Sequence, residues 1–357
     1  MSDVPVSRPR AAFLDWIESG FGLTLPFAIA VLVASVVLVA IGENPFEVFS
    51  LMVSESFGSS SRIAAMLSAT TPLLFTGVAT SICFRAGVFN VGVEGAFIIG
   101  GLAAAFIGFT LPAAMGFTLV PLAFAFAVFV SAIWLLIPGY LLARYDIEEV
   151  VSTLMLNFVA LGITGYLVNG PLLSEQSGNN ITPLIHEGAQ LSRLMPPSTL
   201  HAGFILGLIV VAFYAIWTKR TPIGIESALV GHNRRFARAV GISIPTIIII
   251  VMTVSGLISG LGGASHALGQ LHRFAEGFSP GYGFTGMAVA LLGRNTGLGI
   301  LLGSILFGAL ASAGTTVQLF SDIPLDIVNI IEGTVMIFAV VEFGRISIRW
   351  RRRSKNV

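Results

Sequence analysis

Runs of about twenty apolar residues, split by short polar connections, recur along this 357-residue chain from Phe21 to Phe343. Twenty helical residues cover about 30 Å, the thickness of bilayer hydrocarbon, and in hydrocarbon each backbone polar group must be satisfied within the protein. The runs therefore read as transmembrane helices. Composition agrees, because only 10% of residues are charged, against about a quarter in soluble domains. The longest polar connection, 169–201, is too short to fold alone, which leaves no room for a soluble enzyme domain.

Catalytic signatures are missing as well. Neither lysine, Lys219 or Lys355, follows the glycine that a phosphate-binding G-x-x-x-x-G-K-[ST] loop requires. His186, His201, His232, His266 and His272 form no H-E-x-x-H pattern. No catalytic residue, metal or cofactor is expected on this chain, and any ATP hydrolysis linked to it must occur on another. The single cysteine, Cys83, lies in an apolar run and reads as a small buried hydrophobe.

Charge placement orients the spans, since cytoplasmic connections are rich in Lys and Arg. Residues 1–20 carry Arg8 and Arg10 and read as a cytoplasmic tail; 21–343 read as the transmembrane domain; 344–357 read as a basic cytoplasmic tail. The first run, Phe21 to Ile41, ends in a weak imitation of a signal-peptidase site, but its length is that of a span. The connection 169–201, with four prolines, is assigned outside. The connection 218–244, with Lys219, Arg220, Arg234, Arg235 and Arg238, is assigned inside. The run Tyr282 to Leu292 is too short for a full span unless it borrows 278–281, and it predicts a short or broken helix ending near Arg294 and Asn295. The expected fold is an all-α polytopic membrane protein of about ten transmembrane helices with both termini cytoplasmic. A span, a glycine-rich polar turn and a glycine-rich span recur around Arg85 and Gly281 with opposite orientation, the pattern of an inverted repeat.

Two stretches carry polar chemistry. The first, FRAGVFNVGVEGAFIIGG (84–101), sets Asn90 and Glu94 in apolar, glycine-rich sequence. Four residues apart, they are expected to stack on one helix face. Such groups face protein or a water-filled path rather than lipid, and either a translocation pathway or hydrogen-bonded helix packing accounts for them. Asn157 is the one strongly polar residue of its span, and Phe84, Phe89 and Phe158 offer aromatic faces. The second stretch runs from Gly231 to Gly241, where Asn233 is placed to cap a short basic helix holding Arg234, Arg235, Phe236, Ala237 and Arg238. A membrane-surface anchor and a docking helix for a soluble partner both fit that pattern.

The sequence TPIGIESALVGHNRRFARAVGI (221–242) resembles the T-x-x-G and A-x-G-x-N-x-x-x-A-x-x-x-G-I loop of permease subunits of ABC importers for branched-chain amino acids, ribose-type sugars and nucleosides. FRAGVFNVGVEGAF (84–97) is similar to the F-N-[IV]-G-x-E-G signature of the nucleoside, lipoprotein-linked branch. Glu226 departs from the basic residue common near that position. The resemblance implies a nucleoside importer subunit in a bacterial cell (inner) membrane. It implies a second related permease, a cytoplasmic ABC ATPase carrying ATP and Mg, and an external substrate-binding lipoprotein. It also implies ATPase coupling through Gly231, His232, Asn233, Arg234, Arg235, Ala237, Arg238 and Gly241, and a translocation pathway bordered by Phe84, Phe89, Asn90, Glu94 and Asn157. Two other readings stand beside it: a permease for simple sugars, and a proton-coupled secondary transporter using Glu94 and Glu332.

Overall fold

The computed structural model describes residues 31–33, 35–40, 42–175, 178–320, 330, 333, 334 and 337. The tails at 1–20 and 344–357 and the residue Glu332 lie outside the described residues, as does most of the expected last span, Leu325 to Phe343. Helices dominate, and no strand longer than an isolated bridge occurs among the described residues. In order they are α1 (Val31–Ala40), α2 (Pro45–Phe57), α3 (Ser60–Arg85), α4 (Val93–Thr110), α5 (Leu119–Tyr145), α6 (Glu149–Asn169), α7 (Gly203–Arg220), α8 (Pro222–His232), α9 (Arg234–Ala239), α10 (Ile244–His266), α11 (Tyr282–Leu292) and α12 (Gly297–Phe320). Seven helical stretches of the described residues are long and apolar enough to cross a membrane, and α1 and α11 are shorter apolar helices.

Residues 52–316 form one compact unit; residues 1–51 with 317–357 form another, whose described part is mainly α1 and the start of α2. The larger unit is built around α3, α4 and α10. Small residues let these helices meet backbone to backbone, the device that replaces a hydrophobic driving force inside a bilayer. A Cβ on Gly263 of α10 would lie 2.1 Å from the Phe97 carbonyl of α4, and one on Gly100 would lie 2.7 Å from the Gly260 Cα. Ser131 of α5 donates its hydroxyl to the Ala96 carbonyl at 2.8 Å, tying α5 to the same seam. In contrast, α6 exposes Val151, Met155, Phe158 and Tyr166 along its length.

Two interruptions divide this core. Between α3 and α4 the chain leaves helical geometry at Ala86–Gly92, with Gly87 at φ +70°. Between α10 and α11, a five-residue π turn (Ala267–Leu271) leads into the irregular segment 272–281, with Gly277 at φ +73° and Gly281 at φ +102°. Glycine is required at such dihedrals, because a Cβ would clash with the following carbonyl. With eleven residues, α11 is about 16 Å long, roughly half a bilayer core. Of the short or broken helix expected over Tyr282–Leu292, the short helix is present.

Candidate functional site

The first interruption corrects the expectation that Asn90 and Glu94 share one helix face. Asn90 lies outside the helix, which begins at Val93, whereas Glu94 lies in its first turn. The side chain explains the change: Asn90 Oδ1 accepts the Gly92 N–H at 2.9 Å, an Asx-type bond that competes with helix formation. Asn90 Nδ2 donates to Ser255 Oγ at 3.0 Å on α10.

The freed backbone of this break is satisfied chiefly by α6. Thr153 Oγ1 accepts the Val91 N–H at 3.2 Å, Asn157 Nδ2 donates to the Val91 carbonyl at 3.0 Å, and Asn157 Oδ1 accepts the Gly95 N–H at 2.9 Å. Asn90 and Asn157 are both buried. Each amide supplies a donor and an acceptor to groups that would otherwise be unpaired, a state costing about 1–3 kcal/mol per group. Phe84 and Phe89 stack on each other with centroids 5.0 Å apart, and Phe89 is partly exposed. Phe158 points to the outside of α6 and is exposed.

Glu94 links the two interruptions. It is 4% exposed, and its Oε2 accepts the Gly283 N–H at 2.6 Å, the second residue of α11. Ser279, four residues before Gly283, caps the same helix end. Ser279 Oγ in turn accepts from the N–H groups of Gly281 and Tyr282 at 3.2 and 3.0 Å. The outer half of segment 272–281 is held differently, by the long connection after α6. Phe274 N–H donates to Thr182 Oγ1, Thr182 N–H to the Phe274 carbonyl, and Glu276 N–H to the Asn180 carbonyl. A cleft of about 170 Å³ lies beside it, lined among others by Ile98, Leu161, Thr164, Phe274, Glu276 and Ser279.

At the other end of the unit, α8 and α9 form the surface carrying the basic residues. Thr221 caps α8 by accepting the Gly224 N–H at 3.1 Å, and Asn233 caps α9 by accepting from both Arg235 and Phe236 N–H at 3.0 Å. The capped basic helix expected from the sequence is thus formed. The separate helix α8 precedes it, within the connection 218–244 that the sequence marked by its basic residues. His232, Arg234, Arg235 and Arg238 are exposed, Ala237 is buried, and Gly241 adopts φ +86°. Gly231 touches the first break: a Cβ there would lie 2.1 Å from the Arg85 carbonyl and 2.9 Å from Gly87 N. Arg234 Nη2 also reaches the Gly87 carbonyl, at 3.4 Å.

Thr153, Ser255, Ser279 and Gly283 complete this arrangement and were not picked out from the sequence. Gly283 carried no signal of its own, because its partner Glu94 is 189 positions away. No group of three or more His, Cys, Asp or Glu side chains suited to a metal occurs among the described residues. Cys83 is buried, as the apolar run around it suggested.

Apolar spanning helices, a core interrupted twice and an exposed basic helix pair resting on one interruption describe a multi-pass membrane permease subunit. The chain belongs to the family described as branched-chain amino acid transport system / permease component, which it matches over residues 62–340. It is 32% identical to the glucose ABC transporter permease protein TsgB13 of Haloferax volcanii, over 98% of this chain and 95% of that protein. It is 31% identical to the guanosine ABC transporter permease protein NupP of Bacillus subtilis, over 83% of this chain and 86% of that protein. NupQ, a further guanosine ABC transporter permease protein of Bacillus subtilis, is 24% identical over 73% of this chain and 85% of its own length. No solved structure gives a significant match.

Proposed function

We propose that the chain is one permease of an ATP-driven nucleoside importer in a bacterial cell (inner) membrane. It works by alternating access with a second related permease, a cytoplasmic ABC ATPase that carries ATP and Mg, and an external binding lipoprotein. The chain itself is a transport subunit with both termini cytoplasmic, and its two interrupted spans form an inverted repeat. The observation that carries the reading is the backbone contact of Gly231 with Arg85 and Gly87. Through it the exposed helices α8 and α9 press directly on the break that opens α4. A motor that grips Arg234, Arg235 and Arg238 thereby moves the element next to the pathway. In this reading Phe84 and Phe89 flank the path at its basic end, Asn90 and Asn157 fix the shape of the break, and Glu94 closes it toward α11.

The guanosine relatives NupP and NupQ support both the substrate class and the paired permease. The similarity to TsgB13 favours a second reading, in which the substrate is a simple sugar. Affinity purification of the tagged chain, followed by uptake of labelled guanosine in proteoliposomes with glucose as competitor, separates the two. An ATPase and a second permease in the eluate, with ATP-dependent guanosine uptake that glucose does not reduce, are expected. Uptake blocked by glucose selects the sugar reading, and uptake by this chain alone, abolished when the proton gradient is collapsed, overturns both.

A further inference from the structure

The Glu94 carboxylate lies where two helix N-termini meet. It occupies the first turn of α4 and caps α11 across the core, accepting from Gly283 N–H at 2.6 Å. A helix N-terminus carries about half a positive charge, so two brought together repel unless an anion lies between them. The approach is as close as backbone allows, since a Cβ on Gly283 would sit 2.4 Å from Glu94 N. Two glycines stand beside this clasp. Gly277 and Gly281 have positive φ, and a Cβ on Gly277 would meet nothing within 4 Å. Ser279, whose hydroxyl accepts the Tyr282 N–H at the start of α11, also lines the neighbouring cleft.

We propose that Glu94 is a positioning residue that latches α11 to α4, and that release of its bond to Gly283 lets the two interrupted helices part as the path opens. Uptake enters this proposal only through the importer reading; the latch itself stands on geometry within one chain. It predicts that the half-buried Thr285 beyond the clasp is less accessible while Glu94 holds α11 than after release. Glutamine at this position keeps one acceptor, loses the charge and turns an NH₂ group toward backbone donors.

The test uses the full chain in native membranes with its own partners. Thr285, half-buried one turn into α11, is replaced by cysteine, and because Cys83 is buried the labelling background on this chain is low. Labelling by a membrane-impermeant methanethiosulfonate is followed by mass on this chain. Glu94→Gln is expected to speed labelling of Thr285→Cys by about tenfold and Glu94→Asp, whose shorter side chain draws the acceptor back from the Gly283 N–H, by about threefold, the order expected for a lost hydrogen bond to a charged group. Should Glu94→Gln fail to accumulate, Glu94→Asp decides, because it keeps the charge between the two helix starts. Unchanged labelling in the variant or variants that accumulate overturns the latch, even if uptake falls, since loss of uptake alone fits a packing role. If no ATPase accompanies the chain, the importer reading fails while the labelling result still judges the latch.

Discussion

The two interruptions face one physical problem, backbone polar groups freed inside an apolar core, and solve it by different means. At 86–92 the solution is a set of neutral side chains, Asn90, Thr153 and Asn157, each bonded to main chain and all buried. At the inner end of 272–281 it is one carboxylate and one hydroxyl, Glu94 and Ser279, next to two glycines at positive φ. Amides that bond in two directions fix a shape, whereas a carboxylate that caps one helix end through a single backbone N–H holds it only while that bond lasts. The first break, bolted to α8 through Gly231, suits the transmission of force; the second suits movement.

Substitutions can break this contrast. The largest effect is expected at Gly231→Ala, whose new methyl group would meet the Arg85 carbonyl and Gly87 N, backbone atoms that cannot rotate aside. Overpacking of this kind costs about 1–3 kcal/mol. Uptake should fall by more than tenfold, and wild-type uptake with wild-type thermal stability would remove the rigid link. Next comes the pH dependence of the connection that precedes α7. His201 is fully buried, its Nδ1 accepts the Gly203 N–H at 3.1 Å, and burial followed by repulsion from His272 lowers its pKa to about 4. Its folded pKa lies below its unfolded value, so its contribution is present above about pH 6.5 and is lost as pH falls from there toward 4. The loss is on the order of 3 kcal/mol. Thermal melts across that range should show the decline in the native chain and a flatter profile in His201→Gln.

Asn157→Ala sharpens the contrast from the other side. It leaves the Gly95 N–H and Val91 carbonyl without partners and should lower stability by about 2 kcal/mol, yet leave labelling at Thr285→Cys unchanged. Faster labelling there would mean that both breaks move together. The smallest effect is expected for Asn233→Ala, which removes the cap of α9 at a cost of about 1 kcal/mol. Hydrogen exchange should then rise in Arg235 and Phe236 and nowhere in α4.

Local features were legible in the sequence. Residue types at short spacing revealed the Asn233 cap, the short helix after Gly281 and the spanning lengths, because each depends on neighbours within one or two turns. The same spacing rule misplaced Asn90. An i, i+4 pair stacks only if helix runs through both residues, and here the Asx bond to Gly92 starts the helix later. Contacts between distant segments were beyond reach: nothing near Glu94 points to Gly283, and nothing in 169–201 announces that Thr182 pairs with Phe274. Proline and polar residues marked that connection as a loop without showing that it folds back on the helix ends.

The account rests on α8 and α9 being the grip of an external motor. Replacing Arg234, Arg235 and Arg238 together by alanine leaves Asn233, the buried Ala237 and the Gly231 contact in place, so the helix pair should persist. Recovery of the ATPase with the purified chain and ATP-dependent uptake, measured on the same preparation, are both expected to fall by at least about tenfold, in keeping with loss of several charged contacts. Wild-type recovery of the ATPase together with wild-type uptake would contradict it.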